Sequence, residues 1–253
     1  MIRISQLDLT RDGRRILKGI DAQVPAAGLT AVIGPNGAGK SSLLHCMAGL
    51  LPPSAGTITV DGTDIVAARP ANRARLIAML PQGTPVVPRL SVADLVAFGR
   101  WPHHRGHPSA TDHAIIRESM IAFDLLPLAD RRLDSLSGGQ RQRAFVAMAH
   151  AQSTPWLLLD EPLAALDPKY ASDIMRRLHA MSRPGPDARG VVVVLHDLAM
   201  AARYADWVVS LKDGRLFASA PRREAMNGAS LTALFDTEIL VDRLNESDVI
   251  MVR

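Results

Sequence analysis

The chain has 253 residues, 47% of them hydrophobic, enough for one large domain with an ample core. A formal net charge of +4, aromatics at only 4% and scattered arginines argue against a nucleic-acid surface, which needs a basic stripe and stacking rings. No apolar run approaches the ~18 residues of a membrane span, the N-terminus lacks the apolar core of a secretory signal, and a single cysteine, Cys46, excludes an intramolecular disulfide and fits a reducing, cytosolic setting.

Residues 1 to 82 read as strand-rich. "IRISQLDL", "GIDAQVP", "LTAVIG", "GTITVDG" and "LIAMLPQ" predict strands separated by glycine, proline and Asp-Gly turn signals, and "GKSSLLHCMAGLL" predicts one helix closed by Pro52-Pro53. Residues 83 to 152 predict helices and no strand. Ser91 and Ser137 are natural N-caps, and "SATDHAIIRESMIAFDLL" has helical spacing. Residues 153 to 253 return to strand patterns. "PWLLLDEP" and "GVVVVLHD" are continuous apolar runs, as in strands buried on both faces of a parallel sheet. "PKYASDIMRRLHAMSR" lies between them as a helix, and "DWVVSLKDGRLFAS" reads as a hairpin with an Asp-Gly turn. The expected organisation is a single domain over 1–253, with 83–152 inserted as a helical subdomain.

The stretch "GPNGAGKSS", residues 34 to 42, follows a strand and opens a helix, the context that the phosphate-loop pattern G-x-x-x-x-G-K-[ST] requires. Backbone N–H groups of Asn36, Gly37, Ala38 and Gly39 can curl around a phosphate. Lys40 adds a point charge toward the β- and γ-phosphates, and the hydroxyls of Ser41 and Ser42 lie next to it, Ser41 as a Mg²⁺ ligand. In "WLLLDEP", Asp160 and Glu161 end a buried strand, where α/β proteins bind ligands. Asp160 can serve the metal and Glu161 can act as general base on a water. His196 ends the next such strand. In "LSGGQ", residues 136 to 140, Ser137 and Gln140 form a capping box, yet Gly138 and Gly139 fill the first helical turn, where glycine costs roughly 1 kcal/mol each. Bare N–H groups at a helix start favour an approaching phosphate.

In this order, with Gln82 after an apolar strand and "AALD" ending at Asp167, these motifs resemble the ATP-binding cassette ATPases over essentially the whole chain. The resemblance implies an α/β fold: a P-loop NTPase (RecA-like) core from 1–82 and 153–253, with an N-terminal antiparallel β-subdomain, and the helical subdomain carrying the signature. It implies ATP and Mg²⁺ as cofactors, with Ser41, Gln82 and Asp160 at the metal and Lys40, Gln82, Glu161 and His196 at the chemistry. It also implies a head-to-tail homodimer in which Ser137, Gly138, Gly139 and Gln140 of one subunit, and Asp167, face the partner's nucleotide.

"SVADLVAFGRWPH" and "LSGGQRQRAFVAMAHAQSTPWLLLDEPLAALD" are similar more narrowly to ATPases of importers for ferric siderophores, haem and cobalamin, most of all the siderophore branch. That likeness implies integral-membrane permease partners docking near Gln82 and the helical subdomain, a substrate-binding protein, and a peripheral location on the cytoplasmic face of the inner membrane. No nucleic-acid partner is implied. DNA-repair relatives insert long coiled coils, translation types carry two cassettes, and exporters are usually fused to membrane spans. The chain departs from the family near residue 11, where Arg11 stands in place of an adenine-stacking aromatic. Its guanidinium plane is the nearest replacement for stacking. Leu163, Ala164, Ala165 and Ser42 are also less usual choices. The histidines of "WPHHRGHPSATDH", namely His103, His104, His107 and His113, suggest a metal cluster. With no cysteine and a proline on each side, they read instead as an exposed link between helices.

Overall fold

The computed structural model describes residues 1–83, 89–104, 106–164, 166–185, 188–244 and 247–253. β1 (Ile2–Arg11) and β2 (Arg14–Val24) form an antiparallel hairpin. Its Asp12-Gly13 turn has both residues at positive φ, the geometry that matches strand twist. β3 (Leu29–Ile33) is buried throughout and leads through the loop at 34–39 into α1 (Lys40–Met47). β4 (Ala55–Val60) and β5 (Thr63–Asp64) complete a four-stranded antiparallel sheet in the order β2-β1-β4-β5. α2 (Pro70–Leu76) was not expected. It buries none of its residues, so no apolar period marks it, and only Pro70 at its first turn signals a start. β6 (Ile77–Leu80) follows directly.

The next described residues form α3 (Val92–Phe98), α4 (Trp101–His104), α5 (Ala110–Ala122) and α6 (Gly138–Ala151). Ser91, Ser109 and Ser137 each close a capping box with the residue three positions on, so local hydrogen bonding alone fixes three helix starts. The strand content here, among the described residues, is one isolated bridge between Ser91 and Arg132. The histidine stretch is not simply an exposed link. Trp101 to His104 form α4, and His103 Nε2 lies 2.7 Å from the Gln152 carbonyl oxygen. Among the described residues no group of three histidines, cysteines or carboxylates is placed to hold a metal.

β7 (Trp156–Asp160), α7 (Pro168–Met181), β8 (Gly190–Val194), α8 (Leu198–Tyr204), β9 (Trp207–Lys212) and β10 (Arg215–Pro221) complete the main sheet. Its order is β10-β9-β3-β8-β7-β6, parallel except for β10. Every residue of β3, β7 and β8 is buried. Side chains alternate between two cores: Leu157 and Leu159 pack toward α3, α5, α6, α7 and α8, while Trp156 and Leu158 pack toward α1 and the antiparallel sheet. Two-sided burial is why these strands read as unbroken apolar runs. The end of the chain departs from the expected strand patterns. α9 (Arg222–Ala225) and α10 (Gly228–Phe235) precede a separate hairpin of β11 (Ile239–Leu244) and β12 (Ser247–Val252). No helix among the described residues is long and apolar enough to cross a membrane.

Candidate active site

Four parallel strands end at one edge of the sheet, and each delivers a polar residue there: β3 through its loop to Lys40, β6 to Gln82, β7 to Asp160 and Glu161, and β8 to His196. This is where open α/β sheets bind ligands. A cleft of about 720 Å³ opens at that edge. Its floor is the loop and first turn of α1, from Asn36, Gly37 and Gly39 to Lys40, Ser41 and Ser42, and its far wall is Gln82, Glu161 and His196.

The loop's geometry follows from its sequence. Gly39 caps α1 with φ of 97°, a left-handed conformation that a side chain rarely adopts, and a Cβ there would meet Leu17 Cδ2 at 2.8 Å. Ala38 is buried beneath the loop, in the core shared with α1. Lys40 Nζ donates to the carbonyl oxygens of Gly34 at 2.8 Å and Pro35 at 2.9 Å. Burial pushes its ammonium below the usual lysine value, while the carboxylates of Glu161 and Asp160 pull the other way. The result is a desolvated cation held against backbone oxygens, a group that gains from an incoming anion.

Asp160 is almost fully buried at 1% exposure, and its Oδ1 accepts from Ser41 Oγ at 3.0 Å. Its Oδ2 is buried with no partner, and burial raises the carboxyl above its usual range against the opposing Ser41 bond. A buried carboxylate oxygen without a donor is costly. Beside a hydroxyl, it is also a donor set suited to a hard cation with oxygen ligands.

Glu161 takes φ of 50°, the left-handed region, at the turn out of β7. Gln82 Nε2 donates to its Oε2 at 2.7 Å, and His196 Nε2 lies 2.5 Å from its Oε1. Both carboxylate oxygens are thus fixed, although Gln82, Glu161 and His196 come from three strands. A residue in a strained backbone conformation, held from two sides at a cleft, is typical of a functional position.

Other residues singled out from sequence lie apart from this cleft. Ser137 and Gln140 bond to each other, Gln140 N donating to Ser137 Oγ at 3.2 Å and Ser137 N to Gln140 Oε1 at 3.1 Å. The N-terminus of α6 does not line the cleft, and neither does Asp167, the exposed N-cap of α7. A Cβ on Gly138 would meet nothing within 4 Å, so nothing in the chain itself demands a glycine there. Arg11 sits exposed at the β1–β2 turn, with Asp12 at 3.8 Å as its ionic neighbour, and does not line the cleft. Ile16, five residues further, does. Sequence reasoning missed Ile16 because an isoleucine in a strand carries no signal of ligand contact.

The parallel sheet, the phosphate loop and the acidic strand end define a P-loop nucleoside triphosphatase. Residues 17–164 match the ABC transporter family. The chain is 38% identical over 239 residues to the petrobactin import ATP-binding protein of Bacillus anthracis, covering 94% of this chain and 95% of that one. It is 37% identical to the hemin import ATP-binding protein of Pseudomonas aeruginosa, covering 96% and 95%. The dimeric ATP-binding cassette MJ0796, in a post-hydrolysis state bound to ADP and Pi, superposes with a TM-score of 0.80 at 27% identity, covering 88% of this chain and 99% of that one. The chain belongs to the ABC transporter family and is an ATP-binding, ATP-hydrolysing subunit of that family.

Proposed function

We propose that the chain is the motor of an importer that takes up an iron–siderophore complex, bound peripherally to the cytoplasmic face of the inner membrane. The observation that carries the catalytic part is the double grip of Gln82 and His196 on the Glu161 carboxylate. With ATP in the cleft, Lys40 and the loop N–H groups of Asn36, Gly37, Ala38 and Gly39 hold the phosphates, aided by Ser42. Glu161 accepts a proton from the attacking water, and His196 and Gln82 keep that carboxylate aimed at the γ-phosphate side. Ser41, Asp160 and Gln82 would hold Mg²⁺, a reading supported by the orphaned Asp160 Oδ2 beside the Ser41 hydroxyl. The ion would supply charge neutralisation on the phosphate oxygens.

The signature residues serve a second copy of the chain. Open space at Gly138 supports this, because it keeps the α6 N–H groups accessible to a molecule from outside. Ser137, Gly138, Gly139 and Gln140 of one subunit, with Asp167 nearby, would face the nucleotide of the other. A permease partner is supported by an apolar groove of about 620 Å³ in the helical segment, where Phe98 and Trp101 are 50% and 54% exposed. A substrate-binding protein outside the membrane completes such a system.

The cargo reading rests on likeness to the petrobactin relative. Haem is the second reading, favoured by the similar identity to the hemin relative, with cobalamin behind it. Deleting the gene tests all three. Loss of growth on an iron-loaded siderophore, with growth on concentrated iron salts retained, is the expected result. Loss of haem or cobalamin use instead reassigns the cargo and leaves the motor intact.

A further inference from the structure

The signature helix α6 meets the first turn of α7 through one stacked pair: the Arg143 guanidinium lies 4.5 Å over the centre of the Tyr170 ring. Nearer the start of α6 the space is tight as well, since a Cβ added at Gly139 would stand 3.3 Å from Leu166 Cδ2. Arg143 is buried, at 8% exposure. Its Nη1 donates to the Phe123 carbonyl at 3.1 Å, its Nη1 lies 3.9 Å from Asp124 Oδ2, and its Nε has no partner. Asp124 is mostly exposed and shared with Arg177 at 3.5 Å, so it neutralises Arg143 weakly. The Tyr170 ring face is therefore a principal partner of a desolvated guanidinium. A cation over an aromatic face gains strength when water is excluded.

We propose that Tyr170 is a positioning residue: stacked under Arg143, it clasps α6 to the start of α7 and so sets the glycine-fronted end of α6 relative to the Asp167 turn. This rests on the reading that Ser137 to Gln140 and Asp167 serve a nucleotide held by a second copy. The stacked pair joins α6, a turn beyond its glycines, to the helix whose N-cap is Asp167. A clasp there ties recognition of the partner's nucleotide to the loop that begins at the catalytic carboxylate. It touches no substrate, and therefore acts on turnover without acting on the phosphate loop.

The test uses the full-length chain in the assembled transporter for ATP turnover, and the isolated subunit for titration with a fluorescent ATP analogue. Tyr170→Leu should lower kcat about three- to thirtyfold, the span between a partly exposed and a desolvated cation–π contact, with analogue affinity unchanged. Tyr170→Phe, which keeps the ring, should restore kcat. Arg143→Lys, which loses the flat face, should resemble Tyr170→Leu, and the double variant should be no worse than either single one. Equal kcat in the wild type and Tyr170→Leu, or equal losses in Leu and Phe, or additive losses in the double variant, each overturn the clasp. If Arg143→Lys does not fold, the Leu and Phe pair at Tyr170 decides. A wild-type chain that binds the analogue without ATP turnover overturns the motor reading, and the clasp with it. A working wild type with unaffected variants overturns the clasp alone.

Discussion

Glu161 and His196, 35 residues apart in the chain, meet at 2.5 Å across the end of the parallel sheet, and Gln82 closes on the other oxygen of the same carboxylate. The consequence is a carboxylate with one orientation. Glu161→Gln keeps the shape and removes the base. It should retain ATP binding and lose about 10²–10⁴-fold in turnover, with ATP-dependent dimers accumulating on size-exclusion chromatography. Near-normal hydrolysis in this variant would remove Glu161 from the role.

Lys40 and Ser137 lie at different places in the subunit and should fail differently. Lys40→Ala removes the buried cation from the loop, so nucleotide affinity of the isolated subunit should drop. Ser137→Arg fills the open approach to α6 and leaves the same subunit's loop untouched, so affinity should hold while dimerisation and turnover are lost. Equal affinity losses in the two would contradict a site shared between copies.

Adenine recognition should depend on Ile16 rather than on Arg11. Ile16 lines the cleft, whereas Arg11 is exposed at the hairpin turn. An aliphatic contact is weaker than the ~1–3 kcal/mol of aromatic–base stacking, so ATP should bind modestly and be poorly distinguished from GTP. Titration should find Ile16→Ala weaker than wild type, Ile16→Tyr tighter, and Arg11→Ala unchanged. A clear loss in Arg11→Ala would return the stacking role to the guanidinium.

Stability should fall on mild acidification because of His150. Burial, then the neighbouring charges of Arg189 and Arg177, push its imidazole from the usual 6.5 down to about 4. In the unfolded chain it titrates normally, near ~6.5. The unfolded state therefore takes up the proton first as pH drops. The stability contributed by neutral His150 is fully present above about pH 6.5 and is lost progressively toward about pH 4. Urea midpoints at pH 7 and pH 5 should differ more in wild type than in His150→Gln. Parallel shifts in the two proteins would assign the acid sensitivity elsewhere.

Much of this was legible in the sequence where one residue type has one physical use. Continuous valine and leucine runs of strand length fit strands buried on both faces of a parallel sheet, which places Asp160, Glu161 and His196 at a common edge from the sequence itself. Ser91 as an N-cap and the Ser137–Gln140 capping box marked two helix starts, whereas the box at Ser109 went unread. What escaped was set by tertiary contact. α2 has no buried face, the β11–β12 hairpin stands apart from the main sheet, and Ile16 and Tyr170 matter only through what folding brings beside them. Arg11 stands out by residue type, whereas Ile16 on the same hairpin lines the cleft through its place in the fold.

The left-handed backbone of Glu161 implies a trade between durability and work. A side chain in that conformation costs about 1–2 kcal/mol relative to an unstrained residue, a cost that glycine avoids and asparagine tolerates best. Glu161→Asn, which relaxes the backbone but cannot take a proton from water, should therefore hydrolyse almost nothing while melting within a few degrees of wild type, the relieved strain offsetting the lost Gln82 and His196 bonds. The strand end thus holds a residue that folding alone would not choose, kept there by the need for a carboxylate.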